Sequence, residues 1–234
     1  MNKVTFMDHS GYVVTLDNAI LVFDYYRDPA HALHHAIRQN PDMPVIFFVT
    51  HHRSEHFDKS IFELAQNHKR VYVLSNDVYQ QDVPSDLAVA GMSKGDIIED
   101  LPAGIKVHAL PATDSGVSFL VTTATGETIF FAGGINDPHK PVTDHRKAAD
   151  EYNKTLNRIA SEMPQADIAF LSVNYLMESY YPPEVRKFLD MVKVRDFFPM
   201  ELGGNFHDSE EMQSQMPSGT KVHCLHTPGQ SVSL

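Results

Sequence analysis

A cluster of side chains that bind metals in proteins lies near residue 50. Three histidines and a carboxylate occur within six residues: His51, His52, Glu55 and His56. The cluster directly follows the apolar run of residues 45–49, which predicts a buried strand. Imidazole nitrogens and carboxylate oxygens at the end of a strand are typical of a site for zinc or a related divalent metal. Arg53 interrupts this pattern, because a guanidinium group has only hydrogen-bond donors and cannot bind a cation.

Composition indicates an acidic globular protein without an internal disulfide. Of its 234 residues, 42% are hydrophobic and 21% are charged, which is ordinary for a soluble protein. The net charge of -11 argues against nucleic acid and anionic membranes as partners. The single Cys224 excludes an internal disulfide, and no apolar run approaches the roughly 20 residues of a membrane span. We therefore expect a cytoplasmic protein with a single domain over residues 1–234.

The rest of the chain is predicted to alternate strands and helices. A strand at the N-terminus is followed by a hairpin over residues 11–24 that turns at Asp17-Asn18. Helices are predicted at residues 29–39, 60–66, 148–163 and 182–191. Further strands are predicted at residues 70–75, 96–98, 105–110, 117–122, 128–132, 168–173, 197–200 and 221–225. Strand-rich halves, each followed by helices, predict two packed sheets with helices outside.

The order of short segments along the chain carries a resemblance to a known family. The segments are residues 9–11, 23–24, 50–57, 113–119, 131–136, 167–170 and 197–201. They include Thr-His-x-x-x-Glu-His-Phe at 50–57, Ala-Gly-Gly at 132–134 and Phe-Phe-Pro-Met-Glu at 197–201. This order resembles the metallo-β-lactamase superfamily, and looks closest to predicted metal-dependent hydrolases related to ascorbate-6-phosphate lactonase. The resemblance covers nearly the whole chain and implies an α+β fold, a four-layer αββα sandwich with a cleft at one edge of its sheets.

The resemblance also places ligand positions on this sequence, and several of them are changed. The first family motif is H-x-H-x-D-H, which puts His51 at the first ligand and His56 at the last. Arg53 then replaces the second histidine, and Glu55 replaces the aspartate. Only His51 and His56 match by residue type, so the motif is degenerate.

Two more changes fall on the later ligand positions. The bridging aspartate of the family falls on Gly134, which has no side chain, and the late histidine falls on Glu201. Without a carboxylate at position 134, a pair of metals would lose the group that bridges it. The changes therefore argue against an ordinary two-metal site.

Three states of the site remain open from the sequence. In the first, no metal binds, and Arg53 pairs with Glu201 or Glu55 and replaces the metal charge. In the second, one weakly bound divalent ion, zinc, manganese or iron, is held by Glu55, His56 and Glu201. In the third, two metals bind in the manner of the family. His51 is a ligand of this weakened site or a proton carrier in the states that keep a metal.

Additional residues are predicted to lie around the cleft. Arg53 is the natural anchor for an anionic ligand, and the other candidates for ligand contact are Asp114, His139 and Tyr175. Asp24 is expected to cap a loop, and His9 is expected to form a structural hydrogen bond. The leading interpretation is a hydrolase-like protein, catalytically silent or weakly active, that binds a small molecule. The alternative is a hydrolase of a small ester, lactone or phosphate, with His51 and Glu55 as catalytic residues. The oligomeric state is not predicted.

Overall fold

The structure is a computed structural model that describes residues 2–78, 82–87, 89–113, 115–135, 145–173, 183–202 and 209–234. Its strands are β1 Lys3–Asp8, β2 Gly11–Thr15, β3 Ile20–Phe23, β4 Val45–Val49, β5 Arg70–Ser75, β6 Val89–Met92, β7 Ile97–Leu101, β8 Ile105–Pro111, β9 Val117–Thr122, β10 Thr128–Phe131, β11 Gln165–Ser172, β12 Lys193–Met200, β13 Lys221–Val222 and β14 Ser231–Ser233. Its helices are α1 Ala32–Gln39, α2 His145–Glu162, α3 Pro183–Met191 and α4 Ser209–Gln215. No helix in these ranges is long and apolar enough to cross a membrane.

The strands form two mixed sheets of seven strands each. The first has the order β14-β1-β2-β3-β4-β5-β6, and the second has the order β13-β12-β11-β10-β9-β8-β7. Strands β3 to β6 run parallel to one another, as do β10 to β13. The carboxyl ends of parallel strands meet at one edge of a sheet, which is where ligands bind in many such folds. The loops after β1, β3, β4, β10, β11 and β12 therefore supply the candidate site.

The apolar residues of each strand divide between two faces. In β3, Leu21 and Phe23 belong to the core cluster between the sheets, whereas Ile20 and Val22 belong to a second cluster on the outer face. This division follows from the two-residue period of a strand. Across the sheets, Phe23 stacks on Phe131 with ring centroids 4.7 Å apart. Each such fully buried ring stabilises the fold by about 1.5–3 kcal/mol, so the aromatic core fixes how the sheets pack.

Helices cover the outer faces of both sheets. Leu33 of α1 lies in the same buried cluster as the outward residues of the first sheet. Phe188 of α3 stacks on Phe130 of β10, with ring centroids 5.5 Å apart, and Leu156 of α2 is buried in the core. The layers are thus helix, sheet, sheet and helix, which confirms the predicted αββα sandwich. The single domain over residues 1–234 stays a prediction.

One predicted helix is much shorter than expected. Residues 60–66 were predicted to be helical, but only a 3₁₀ turn over Lys59–Phe62 forms. Asp58 caps this turn with a carboxylate oxygen 2.8 Å from a backbone nitrogen. The Arg70 guanidinium donates to the Phe62 carbonyl at 2.7 Å. The last carbonyl of the turn therefore accepts a hydrogen bond from a side chain, and the chain does not continue as a helix.

The other differences between the predicted and the observed secondary structure lie in short elements. Strand β6 and helix α4 were not predicted from the sequence, and the strand predicted at residues 221–225 is only the two-residue β13. These segments are too short to show a clear period, and neighbouring strands, more than local propensity, determine them.

A charged network around the buried Asp196, within β12, predicts a dependence of stability on pH. Asp196 accepts hydrogen bonds from Arg195 and from His223, both at 2.7 Å. Burial alone would raise the pKa of Asp196, but these hydrogen bonds and charges outweigh it and lower the pKa below its ordinary value. The network therefore stabilises the protein above the unfolded pKa of about 4. That stabilisation is lost as the pH falls through the lower folded pKa.

We expect Asp196→Asn to lower the free energy of unfolding at pH 7 by about 1–3 kcal/mol. The deficit should shrink as the pH falls, because the wild-type carboxylate becomes protonated. Urea unfolding between neutral and acidic pH measures this, with the exposed Asp100→Asn as a control. An equal deficit at every pH would contradict the role assigned to the network.

Candidate metal centre

Three residues at the carboxyl edge of the sheets adopt left-handed backbone angles that are unusual for side chains other than glycine. They are His9, Asp24 and Glu201, with φ of 52°, 44° and 58°. His9 lies between β1 and β2, Asp24 directly follows β3, and Glu201 directly follows β12. Each such conformation costs on the order of 1–3 kcal/mol, and this kind of strain concentrates at functional sites. The surrounding fold holds all three in place.

Asp24 is the centre of a buried hydrogen-bond network. Its carboxylate is fully buried. One oxygen accepts from the Thr50 backbone N–H at 2.8 Å, and the other accepts from the Thr50 hydroxyl at 2.6 Å. The second oxygen also lies 2.8 Å from His56 Nδ1. Asp24 therefore joins the end of β4 to the last histidine of the motif, and is more than the loop cap predicted from the sequence.

This network determines the charge preference of His56. Burial alone lowers the pKa of His56, but the hydrogen bond and charge of Asp24 outweigh it. The nearby carboxylates of Glu201 and Glu55 act in the same direction, so the pKa lies above its ordinary value. The surroundings of this imidazole thus favour a positive charge.

Glu201 lies close to His56. Its Oε1 accepts hydrogen bonds from Ser10 at 3.1 Å and from Ser172 at 2.9 Å. The same oxygen is 3.9 Å from His56 Nε2. His9 Nδ1 is 3.0 Å from the Ser10 hydroxyl. One potential ligand atom from each of His9, His56 and Glu201 lies within 4.8 Å of the others.

His51 lies on the other side of His56, with ring centroids 4.0 Å apart. Burial, followed by the charge of His56, lowers the pKa of His51 to about 4. Arg53 contributes a smaller effect of the same sign. His51 is therefore a neutral imidazole at pH 7, and its Nδ1 is 2.9 Å from the Thr50 hydroxyl.

Asp24, His51 and His56 form a second group of donor atoms within 4.8 Å of one another. Its geometry suits a hydrogen-bond network better than a metal. The two oxygens of Asp24 already accept three hydrogen bonds. A cation at these oxygens would have to compete with those donors. We therefore assign Asp24 to the support of the site rather than to its ligands.

Glycines let the loops approach the end of β4 closely. A Cβ on Gly116 would lie 1.9 Å from the Thr50 carbonyl oxygen, and one on Gly133 would lie 2.4 Å from Thr50 Cβ. A Cβ on Gly134 would lie 2.8 Å from the Ser115 carbonyl oxygen. The position at which the resemblance places a bridging aspartate is therefore crowded by backbone, and it carries no side chain.

The packing at Gly134 gives a direct prediction. We expect Gly134→Ala to lower the free energy of unfolding by about 1–3 kcal/mol, since the new methyl group would meet a backbone oxygen that cannot rotate away. Thermal and urea unfolding measure the change. Unchanged stability would mean that the 115–116 loop moves freely enough to admit a side chain.

The structure brings some predicted site residues together and leaves others apart. His51, His56 and Glu201 meet at the site. Glu55 is half-buried, accepts a hydrogen bond from Ser54 at 3.1 Å, and belongs to neither donor group within the described residues. Within the described residues, Ser10 and Ser172 donate hydrogen bonds to Glu201, and the pairing of Arg53 with Glu201 or Glu55 stays a prediction. The remaining predicted ligand contacts lie outside the described residues: Asp114, His139 and Tyr175.

The supporting residues of the site were not predicted from the sequence. They are Ser10, Thr50 and Ser172, together with the role of Asp24. His9 was expected to form a structural hydrogen bond, and it does so with Ser10 while also joining the donor group. Each of these residues follows or ends a predicted strand, but polar residues at strand ends are common, so position alone does not identify them.

Comparison with solved structures identifies the class of fold. A novel metallo hydrolase from the hyperthermophilic archaeon Ignicoccus hospitalis is similar with a TM-score of 0.69 at 15% identity, covering 99% of this chain and 97% of that one. The metallo-β-lactamase fold protein YhfI from Bacillus subtilis has a TM-score of 0.63 at 12% identity, with 100% of both chains covered. CmlA, a diiron β-hydroxylase from Streptomyces venezuelae, has a TM-score of 0.61 at 11% identity, covering 100% of this chain and 54% of that one.

The chain therefore has the metallo-β-lactamase fold, as predicted, and its structural neighbours include metal-dependent hydrolases. Comparison of the sequence with family models and with curated proteins gives no match. The similarity to the ascorbate-6-phosphate lactonase branch stays a prediction.

Proposed function

We propose that this protein is a metal-dependent hydrolase that uses one divalent ion, bound by His9, His56 and Glu201. The observation that carries the proposal is the convergence of these three side chains, with a donor atom from each within 4.8 Å of the others. Two imidazoles and one carboxylate suit zinc, manganese or iron. This set keeps two residues of the metal site predicted from sequence, and replaces Glu55 with His9.

The electrostatics of the site support a bound cation. The carboxylates of Asp24, Glu201 and Glu55 raise the pKa of His56 despite its burial. A field that attracts a proton to this imidazole also attracts a divalent ion to the same place. The ion would offset the mutual repulsion of these carboxylates, which is the function that sequence reasoning gave to Arg53.

The residues around the ligands support the same proposal. Asp24 holds His56 Nδ1 at 2.8 Å, the arrangement by which carboxylates orient metal-binding histidines. Ser10 and Ser172 hold Glu201. An ion bound there would supply Lewis-acid chemistry for hydrolysis. Neutral His51, adjacent to His56, is placed to accept a proton during the reaction.

Arg53 supports an anionic substrate. It lies two residues after His51, where burial and the charge of His56 lower the pKa of His51 and the charge of Arg53 adds a smaller effect of the same sign. A guanidinium binds carboxylate and phosphate groups through paired hydrogen bonds. We therefore propose a small anionic substrate, either an ester, a lactone or a phosphate ester.

A panel of such substrates tests the proposal. Protein reconstituted with zinc, manganese or iron should hydrolyse at least one aryl phosphate, lactone or carboxylate ester, and the rate should fall to background in Glu201→Gln. Chelator-treated wild-type protein is the second control. Equal rates for the wild type and Glu201→Gln would contradict a metal-dependent hydrolase.

A second candidate function is a catalytically silent relative that binds an anionic ligand in the cleft. Arg53 and Gly134 at two ligand positions of the family favour it. The two functions differ in their response to chelator. If the silent protein is correct, binding of an anion such as phosphate should survive both chelator and Glu201→Gln, and should be lost in Arg53→Ala.

A further inference from the structure

Two buried hydroxyl groups lie between the histidines of the site and its carboxylates. Ser10 is fully buried between His9 Nδ1, at 3.0 Å, and Glu201 Oε1, at 3.1 Å. Thr50 is fully buried between His51 Nδ1, at 2.9 Å, and Asp24 Oδ2, at 2.6 Å. We infer that Ser10 and Thr50 are positioning residues that set the tautomers of His9 and His51.

The inference follows from counting protons at Ser10. A hydroxyl group has one proton to donate, and an ionised carboxylate has none. The hydrogen bond between Ser10 and Glu201 must therefore use the serine proton. Ser10 then has only lone pairs left for His9, so the ring must donate from Nδ1. His9 is held with its proton on Nδ1, and its Nε2 keeps a free lone pair.

The same count applies to Thr50. Its proton is used on Asp24 Oδ2, at the short distance of 2.6 Å. Thr50 can therefore only accept from His51, which places the proton of that ring on Nδ1 as well. His56 needs no hydroxyl, because its Nδ1 donates directly to Asp24 at 2.8 Å.

Each of the three imidazoles thus directs its Nδ1 proton, directly or through one hydroxyl, to a carboxylate. All three leave Nε2 unprotonated in the neutral ring, the form that binds a metal or accepts a proton. The same tautomer is set by a serine that follows one histidine and by a threonine that precedes another. The hydroxyls therefore prepare the site before any ligand enters.

Nitrogen NMR of the histidine rings in metal-free protein tests this inference. Long-range correlations between ring nitrogens and ring protons distinguish the two neutral tautomers. In the wild type, His9 and His51 should both show the Nδ1-protonated pattern at a pH where each ring is neutral. Finding either ring protonated on Nε2 would overturn the inference for that ring, and no variant is needed for this result.

Matched variants separate the effect of each hydroxyl on its histidine from general disturbance of the site. Ser10→Ala should convert His9 to a mixture of tautomers and leave His51 unchanged, and Thr50→Val should do the reverse. Ser172→Ala is the control, since Ser172 also donates to Glu201 but is not the partner of His9 Nδ1. Thr50→Ser should restore the wild-type pattern. A His9 tautomer that is unchanged in Ser10→Ala would contradict the role of Ser10.

A second arm of the test measures metal affinity, and this arm rests on the proposed function. Titration with zinc should show Ser10→Ala binding about tenfold more weakly than Ser172→Ala, because only the first disturbs a ligand's tautomer. Equal affinities would contradict a role for Ser10 toward the metal. If the wild type binds no metal but shows both Nδ1-protonated rings, the proposed function fails and the assignment of tautomers is upheld.

Discussion

Asp24→Asn is expected to lower the free energy of unfolding by about 2–4 kcal/mol, one of the largest effects of a single isosteric change in this protein. The wild-type carboxylate is fully buried and accepts three hydrogen bonds, from the Thr50 N–H, the Thr50 hydroxyl and His56. An asparagine amide presents one oxygen and one NH₂ group. It therefore cannot accept all three hydrogen bonds unless the Thr50 hydroxyl turns and His56 changes its tautomer.

Urea unfolding of metal-free protein measures this effect without a contribution from metal binding. The matched control is Asp100→Asn on the exposed strand β7, which should change stability by less than about 0.5 kcal/mol. A value for Asp24→Asn as small as that of the control would contradict the central position of Asp24. It would also mean that Asp24 is not the main cause of the raised pKa of His56.

Glu201→Gln is expected to weaken binding of a divalent metal by more than about 100-fold, since it removes the charge of a ligand. The substitution keeps the size of the side chain, and its amide oxygen can still accept from Ser10 and Ser172. The fold should therefore be retained, which circular dichroism can verify. Titration calorimetry with zinc or manganese on chelator-treated protein measures the affinity.

Glu55→Gln is the matched comparison. It removes the same charge from a residue four positions after His51, which was predicted from the sequence to be a metal ligand. We expect its metal affinity to stay within about fivefold of the wild type, as for a neighbouring charge that is not a ligand. If Glu55→Gln loses as much affinity as Glu201→Gln, then the ligand set predicted from the sequence is correct. The set that includes His9 would then be wrong.

Much of the fold could be predicted because its main signals are local. The apolar run at residues 45–49 and the hairpin at residues 11–24 correspond closely to β4 and to β2 with β3. The helix predicted at residues 60–66 failed because its carbonyls find a partner in Arg70, on the next strand. That contact depends on how the chain folds back, which no local pattern reveals.

The location of the site was more predictable than its chemistry. His51 and His56 were identified from their spacing after a strand, and Glu201 from its place in the family's order of segments. His9 is 47 residues away from His56 in sequence and joins it only because β1, β3 and β4 end at the same edge of one sheet. The hydroxyls of Ser10 and Thr50 could not be assigned roles without distances, because their function depends on what lies on each side of them.

Elemental analysis of untagged protein tests the central claim most directly. The protein should be purified without chelator, and a second sample should be stripped and reconstituted with zinc, manganese or iron. We predict about one divalent ion per chain in the wild type, bound by His9, His56 and Glu201. The metal content should fall to near zero in Glu201→Gln. Less than about 0.1 ion per chain in the reconstituted wild type, or about two ions, would contradict a site for a single metal.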